Sequence, residues 1–337
     1  MKTTIYDVAK AAGVSIATVS KVINNNGRIS KETRKRVRSI MGELDYQPSG
    51  VAVALTGKQT YTIGVLVPDI SNPFFSEIVK VLENSARDAG YALIICSTYH
   101  QEDRENMYLD LLLKKQVDGF IIATEPKDID SYAKLNKRNI PTVLFTIDSM
   151  LLSSHNVTTD DIRGGFLAGK YLIRKGHRKI AVILEEGRKS SLTRLAGFKE
   201  ALNEKGITLN QNDLYEAQSS MKEARHVARS LLLSSYRPSA VFCCTDLIAI
   251  ALINEARKLG LAVPQDLSVI GYDNTVLAEL SDPELTTIEQ PLAELVKATM
   301  TLLITSISEP ESQSQRKVFK PELKERHSVR FLENSLE

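Results

Sequence analysis

The chain has 337 residues, 43% hydrophobic and 25% charged, enough for two or three domains and a sizeable core. Its net charge of +2 hides an asymmetry: residues 1–58 hold ten Lys/Arg against four Asp/Glu, and the rest hold 33 against 37. A basic head on a mildly acidic body calls for an anionic partner at the head alone, while no run approaches the ~20 apolar residues of a membrane span and "MKTTIYDVAKAAG" carries no signal-peptide pattern.

The first 45 residues predict three short helices. Thr4 with Asp7 makes a capping-box pattern, and Ser15 and Ser30 sit where N-caps belong. Val8, Ala9, Ala12, Val14, Val19, Val22, Ile23, Val37, Ile40 and Leu44 recur at helical spacing and suffice for a small core. The unit "IYDVAKAAGVSIATVSKVIN" reads as helix, tight turn at Gly13, helix. That is helix-turn-helix geometry, whose second helix enters a DNA major groove. Ile16, Ala17 and Lys21 then face base edges, with Ile16 suited to a thymine methyl and Lys21 to O6 and N7 of guanine. Tyr6, Thr18, Ser20 and Asn24 suit phosphates. The run "KETRKRVR", 31–38, adds long-range attraction. A small helical bundle that docks a protein is the alternative reading of this head. Residues 47–55 follow, within "QPSGVAVALTGKQT". Pro48 suits a first helical position, but so short a segment, with a glycine and two valines, cannot hold a helix alone in water.

From Tyr61 the pattern changes. "YTIGVLV", "ALIICS", "DGFIIAT" and "IPTVLFT" are buried-strand runs, separated by helices near 73–89, 101–115 and 128–139. The alternation continues with a helix near 161–175, "KIAVIL", a helix near 192–205, a short strand near 213–217 and a helix near 221–235. "SAVFCC", a helix near 246–259, "LSVIGYD" and a last helix near 291–307 complete it. Repeated β-α units imply parallel sheets with helices on both faces. About eight units exceed one doubly wound sheet of usual size, so two similar lobes are expected, divided near Thr158–Asp161. Cys96, Cys243 and Cys244 lie in strand runs and read as reduced, buried thiols of a cytoplasmic protein.

Ligands of open parallel sheets sit beyond the carboxyl ends of strands, and two lobes make a cleft there. Asp69 with "SNPFF", Thr245 with Asp246, and Asp273 with Asn274 each follow a strand, and Arg194 opens a helix after "VILEEGRKSSLT". An arginine fork beside a carboxylate suits sugar hydroxyls or a nucleobase edge. Phe74 offers a face for an apolar ring, whereas Phe75 reads as core. Arg188 and Lys189 suit an acidic ligand such as a sugar acid or phosphate, with a solvated loop as the favoured reading. No phosphate loop, dinucleotide fingerprint or zinc-protease motif occurs, and the five histidines lack metal spacing. Neither an enzyme, a cofactor nor a bound metal is expected. A small-molecule binder with a protein-docking head, or a sugar-converting enzyme, are the competing functions.

The pieces "YDVAKAAGVS", "ATVSKVIN", "ISKETRKRV" and "LDYQPSGVAVALTGK" resemble the head of the lac repressor/galactose repressor (LacI/GalR) family of bacterial transcription regulators. The resemblance continues to near residue 330 through "VPDISNPFFSEIV", "VDGFII", "TDDIRGG", "GHRKIAVI", "RLAGFKEAL", "VPQDLSVIGYDN", "LTTIEQP" and "PELKERHS". It implies a small all-α head over residues 1–58, comprising a helix-turn-helix at 1–45, a hinge helix at 47–55 and a linker at 56–60. It implies a two-lobed α/β core, like that of periplasmic binding proteins, over 61–337. Lobe 1 would take about 61–158 and 290–318, and lobe 2 about 160–287 and 320–330. A homodimer would grip a pseudo-palindromic double-stranded operator, with Ser15 added to the DNA contacts and Ala52 and Leu55 in the minor groove, Leu55 as the wedge. Family effector contacts match Phe74, Arg194, Thr245 and Asp273, and the effector would be a sugar, a sugar acid or phosphate, or a purine. Repression is the expected outcome, and no membrane partner is.

Overall fold

A computed structural model describes residues 3–23, 27–46, 59–126, 128–148, 154–218, 220–235, 237–309 and 313–332. The chain divides into two units, Met1–Thr60 and Tyr61–Glu337. In the first, α1 spans Ile5–Ala12, α2 Ile16–Ile23 and α3 Lys31–Glu43. The Asp7 carboxylate accepts the Thr4 N–H at 2.8 Å, and Ser15 and Ser30 accept the amides of Thr18 and Thr33 at 3.2 and 3.1 Å. All three predicted helix starts therefore carry a capping contact. Gly13 at φ 63° returns its N–H to the last carbonyls of α1 and turns the chain into α2. Val8, Ala9, Ala12, Val19, Val22 and Val37 close a core among the three helices. The proposed hinge segment, with Ala52 and Leu55, and Asn24 lie outside the described residues.

The second unit holds two six-stranded sheets. Sheet 1 contains β1 (Thr62–Val67), β2 (Ala92–Ser97), β3 (Gly119–Ile122), β4 (Thr142–Phe145), β5 (His155–Thr159) and β11 (Arg316–Phe319). Sheet 2 contains β6 (Ile180–Glu185), β7 (Leu214–Ala217), β8 (Ala240–Cys243), β9 (Ser268–Asp273), β10 (Thr286–Glu289) and β12 (Glu322–Lys324). Their orders are β11-β5-β4-β3-β1-β2 and β12-β10-β9-β8-β6-β7. Every pair is parallel except β10 with β12.

Around sheet 1, α4 (Pro73–Asp88) and α12 (Leu292–Ser308) cover one face, while α5 (Glu102–Lys114) and α6 (Ile129–Lys137) cover the other. Around sheet 2, α7 (Asp161–Arg174) and α8 (Lys189–Asn203) lie opposite α9 (Met221–Leu233) and α10 (Asp246–Lys258). A short α11, Val276–Leu280, precedes β10. The chain crosses between lobes three times: from β5 into α7, from β10 into α12, and from β11 into β12. The edge strands β11 and β12, the inner strands β5 (HNVTT) and β10 (TTIE), whose polar residues hide their burial, and α11 were not expected from the sequence. The charged, half-exposed runs of β11 and β12 lack the apolar signature of a buried strand.

Helices α7 and α8 touch backbone to backbone. A Cβ at Gly165 would lie 1.8 Å from the Arg194 carbonyl oxygen, and one at Gly197 1.8 Å from that of Ile162. No side chain is in the way that could swing aside; the helices themselves would have to separate. Gly197→Ala is expected to destabilise the core by about 1–3 kcal/mol, read as a lower urea midpoint with little change in slope.

Candidate functional site

Two faces concern function. On the head, Val19 and Val22 anchor α2 in the core, which turns Ile16, Ala17 and Lys21 outward. Ile16 is 41% exposed, and Tyr6, on α1, 68%. A medium-sized apolar side chain left bare on a small, soluble helix is a candidate base contact. The Lys21 stem runs over Gly27, where a Cβ would sit 3.2 Å from Lys21 Cδ. Thr18 and Ser20 are half-buried beside this face, and the Ser15 and Thr18 hydroxyls bond each other at 2.9 Å. Along α3, Lys31, Arg34, Lys35 and Arg38 line one depression with Ser39, a positive surface for phosphates.

In the core, a cavity of about 360 Å³ opens at the carboxyl ends of β1, β3, β4, β5 and β6. Phe75, Ile147 and Ala123 give it an apolar floor, and Thr146, Thr158, Thr159, Ser190 and Thr193 present hydroxyls. Its carboxylates are Glu125, Asp148, Asp160, Asp161 and Glu185, and its cations Arg188, Lys189 and Arg316, with His100 at the side. The start of α8 closes over it. The Lys189 N–H donates to Glu125 Oε1 at 3.2 Å and its Nζ to the Asp148 carbonyl at 2.9 Å. Arg188 Nη1 donates to His100 Nδ1 at 2.7 Å. An arginine only donates, so His100 carries its neutral-state proton on Nε2. Arg316 clasps Asp148 through two bonds of 2.9 and 2.6 Å, holding that carboxyl below its usual range.

Beneath this wall lies a buried cation. Arg194 Nε donates to Asp161 Oδ1 at 2.8 Å and Nη1 to the Cys244 carbonyl at 2.6 Å, while Asp273 Oδ1 lies 3.7 Å from Nη1. The guanidinium centre stands 3.6 Å from the Tyr272 ring centroid, and Tyr272 Oη donates to Asp161 at 3.0 Å. Burial pulls the Arg194 pKa down, but Asp161, Tyr272 and Asp273 outweigh it and hold it above the ordinary value. Burial pushes the Asp273 carboxyl up, with Arg194 working against it. Asp273 also has φ 115°, a backbone geometry costing a non-glycine residue about 1–3 kcal/mol.

The five residues expected to meet a ligand are spread over the cleft. Arg194 and Asp273 come together. Phe74 packs into the lobe 1 core and, with Asp273, lines a second cavity of about 430 Å³ that also holds Glu77, Asn274 and Gln290. Asp69 lines a third, with Tyr99, Glu186 and Arg188. Thr245 caps α10, accepting the Ile248 N–H at 3.3 Å. The main cavity uses other residues: Phe75 lines it, and Arg188 and Lys189 belong to the cap and first turn of α8, three residues earlier than the expected helix start. Glu125 and Asp148 follow β3 and β4, so the strand-end rule applied to every strand would have found them. Among the described residues no group of three or more His, Cys, Asp or Glu side chains is placed to hold a metal ion, and no helix is long and apolar enough to cross a membrane.

Comparison with known proteins finds relatives of both the head and the core. Residues 4–49 match the model of bacterial regulatory proteins of the lacI family, and residues 170–329 that of a periplasmic binding protein-like domain. The chain is 42% identical to the HTH-type transcriptional regulator DegA of Bacillus subtilis over 98% of both chains. It is similar to a LacI family transcriptional regulator of Enterococcus faecium with bound ribose, at 35% identity and TM-score 0.74, over 81% of this chain and 100% of that one. It is also similar to the lac repressor dimer bound to operator and the anti-inducer ONPF, at 26% identity and TM-score 0.84, over 98% and 100%.

Removing Asp161 would leave Arg194 charged and buried beside only a distant carboxylate. Asp161→Ala is expected to cost about 3–5 kcal/mol, measured by urea denaturation, because Tyr272 loses its acceptor in the same step.

Proposed function

The chain belongs to the lacI family of bacterial regulatory proteins, and from that premise we propose that it is a repressor released from or held on its operator by a neutral sugar. It is a DNA-binding transcription regulator and not an enzyme. The observation that carries the DNA half is the α2 face: Ile16, Ala17 and Lys21 stand outward on a basic head. In the proposed complex these three meet base edges, Tyr6, Ser15, Thr18, Ser20 and Asn24 meet phosphates, and Ala52 and Leu55 enter the minor groove. Two heads of a homodimer read two half-sites.

The effector half rests on the charge of the main cavity. Asp161 is paired with Arg194 and Asp148 with Arg316, which leaves Glu125, Asp160 and Glu185 against Arg188 and Lys189. An anionic ligand would add to the surplus of negative charge; a polyol meets hydroxyl and carboxylate acceptors over an apolar floor. The ribose in the Enterococcus faecium relative supports a sugar of this size. The effector shifts the population of two lobe arrangements only by binding one more tightly than the other.

Two measurements test this reading. After selection of an operator from random inverted repeats, Lys21→Ala is expected to weaken binding by about 1–3 kcal/mol at that site and far less on scrambled DNA. Equal losses on both would remove base reading by Lys21. In a thermal-shift panel of the full chain, neutral pentoses or hexoses should stabilise by about 2.7 kcal/mol at 100 times their Kd. Stabilisation by sugar acids or phosphates alone would overturn the neutral-sugar assignment.

A further inference from the structure

Two of the three crossovers are tied together by one side chain. Gln290 lies between β10 and α12, at the second crossover, and Thr159 is the last residue of β5, at the first. Gln290 Nε2 donates to Asp273 Oδ1 at 2.8 Å, and Gln290 Oε1 accepts the Thr159 hydroxyl at 2.8 Å. All three residues are buried. The ionised Asp273 carboxylate fixes the amide's direction, since only the nitrogen can donate to it, and this leaves the amide oxygen to accept the Thr159 hydroxyl proton. Asp273 is in turn anchored in lobe 2, near Arg194 and at the end of β9. Thr159 belongs to sheet 1, where its neighbour across the ladder is Phe319, beside the third crossover.

We propose that Gln290 is a positioning residue that sets the angle between the lobes, holding lobe 2 through Asp273 and lobe 1 through the Thr159 hydroxyl. The inference deepens the regulatory reading above and rests on it for its biological sense, but the geometry stands apart from any DNA or ligand. Thr159 lines the 360 Å³ cavity, whereas Gln290 and Asp273 line the 430 Å³ one. The clamp therefore runs between the two spaces a ligand would occupy. The Thr159 hydroxyl has one proton, so a cavity ligand that accepts it takes it from Gln290. Occupancy and lobe angle are then linked through a single bond, without rearrangement of the Arg194 cluster.

The distance measurement uses the full chain without DNA or sugar. Spin labels at Lys115→Cys and Lys205→Cys, one on each lobe, report the interlobe distance by pulsed dipolar spectroscopy, in samples diluted with unlabelled protein to isolate one subunit. The native cysteines are buried. Gln290→Met, which keeps the length and loses both bonds, is expected to shift or broaden the distance distribution. Thr159→Val is expected to do the same, the double variant no more than either single one, and Thr159→Ser nothing. Operator affinity should change by at least about 5-fold in Gln290→Met and Thr159→Val, with melting temperatures close to the parent's. Should Gln290→Met fail to fold, Thr159→Val against Thr159→Ser decides alone. A parental distance distribution in Thr159→Val, or additive shifts in the double variant, overturns the clamp. A shifted distribution in a chain that ignores every inverted repeat would leave the clamp standing and sink the repressor reading instead.

Discussion

The core depends on one close approach: the glycines of α7 and α8 let two helix backbones meet, and the Arg194 guanidinium is enclosed as a result. Gly165 lies under the Arg194 carbonyl and Gly197 under that of Ile162. At that separation Asp161, on the first turn of α7, reaches Arg194 on α8. A buried cation carries a desolvation penalty of several kcal/mol. Here a carboxylate, a backbone carbonyl, a second carboxylate and an aromatic face share in offsetting it. The cluster stiffens the cleft wall of lobe 2, so movement is left to the crossovers and to the contacts that span the cleft.

Those spanning contacts differ in kind from the cluster. Lys189 reaches Glu125 and the Asp148 carbonyl, Arg188 reaches His100, and the Val276 N–H donates to Glu77 at 2.7 Å. Most involve exposed or half-buried groups, whose bonds are individually weak because water competes for them. A rigid wall with weak cross-links suits an element that must take two arrangements: the links are broken at small cost, while the wall keeps its shape.

The sequence carried the architecture further than it carried the site. Capping residues marked the starts of α1, α2 and α3, because a side-chain oxygen three residues before a free amide is a local signal. The apolar strand runs marked the sheets for the same reason. Asp69, Phe74, Arg194, Thr245 and Asp273 were selected as chemically capable residues near strand ends, yet they occupy different parts of the cleft. What separates them is how each strand end and helix start is turned within its own lobe, a quantity with no local trace in the chain. Phe75 illustrates the difficulty. It neighbours Phe74 on α4, and only the helix phase against sheet 1 decides that Phe74 is buried while Phe75, half-buried against the same core, lines the main cavity. Glu125 and Asp148 were within reach of the strand-end rule; Gln290 was not, since nothing in "TTIEQP" says that its amide will meet a threonine 131 residues away.

The three crossovers also order events during synthesis. Sheet 1 lacks its covering helix α12 until the ribosome has passed residue 308, and β11 until residue 319, although its first five strands end at residue 159. Sheet 2 lacks β12 until residue 324. The head, whose core is closed by residue 46, is therefore complete while both lobes still expose unfinished edges and apolar faces, the condition under which nascent chains aggregate or recruit chaperones. Nascent chains stalled before residue 316 would carry a finished reading head and an unfinished sensor.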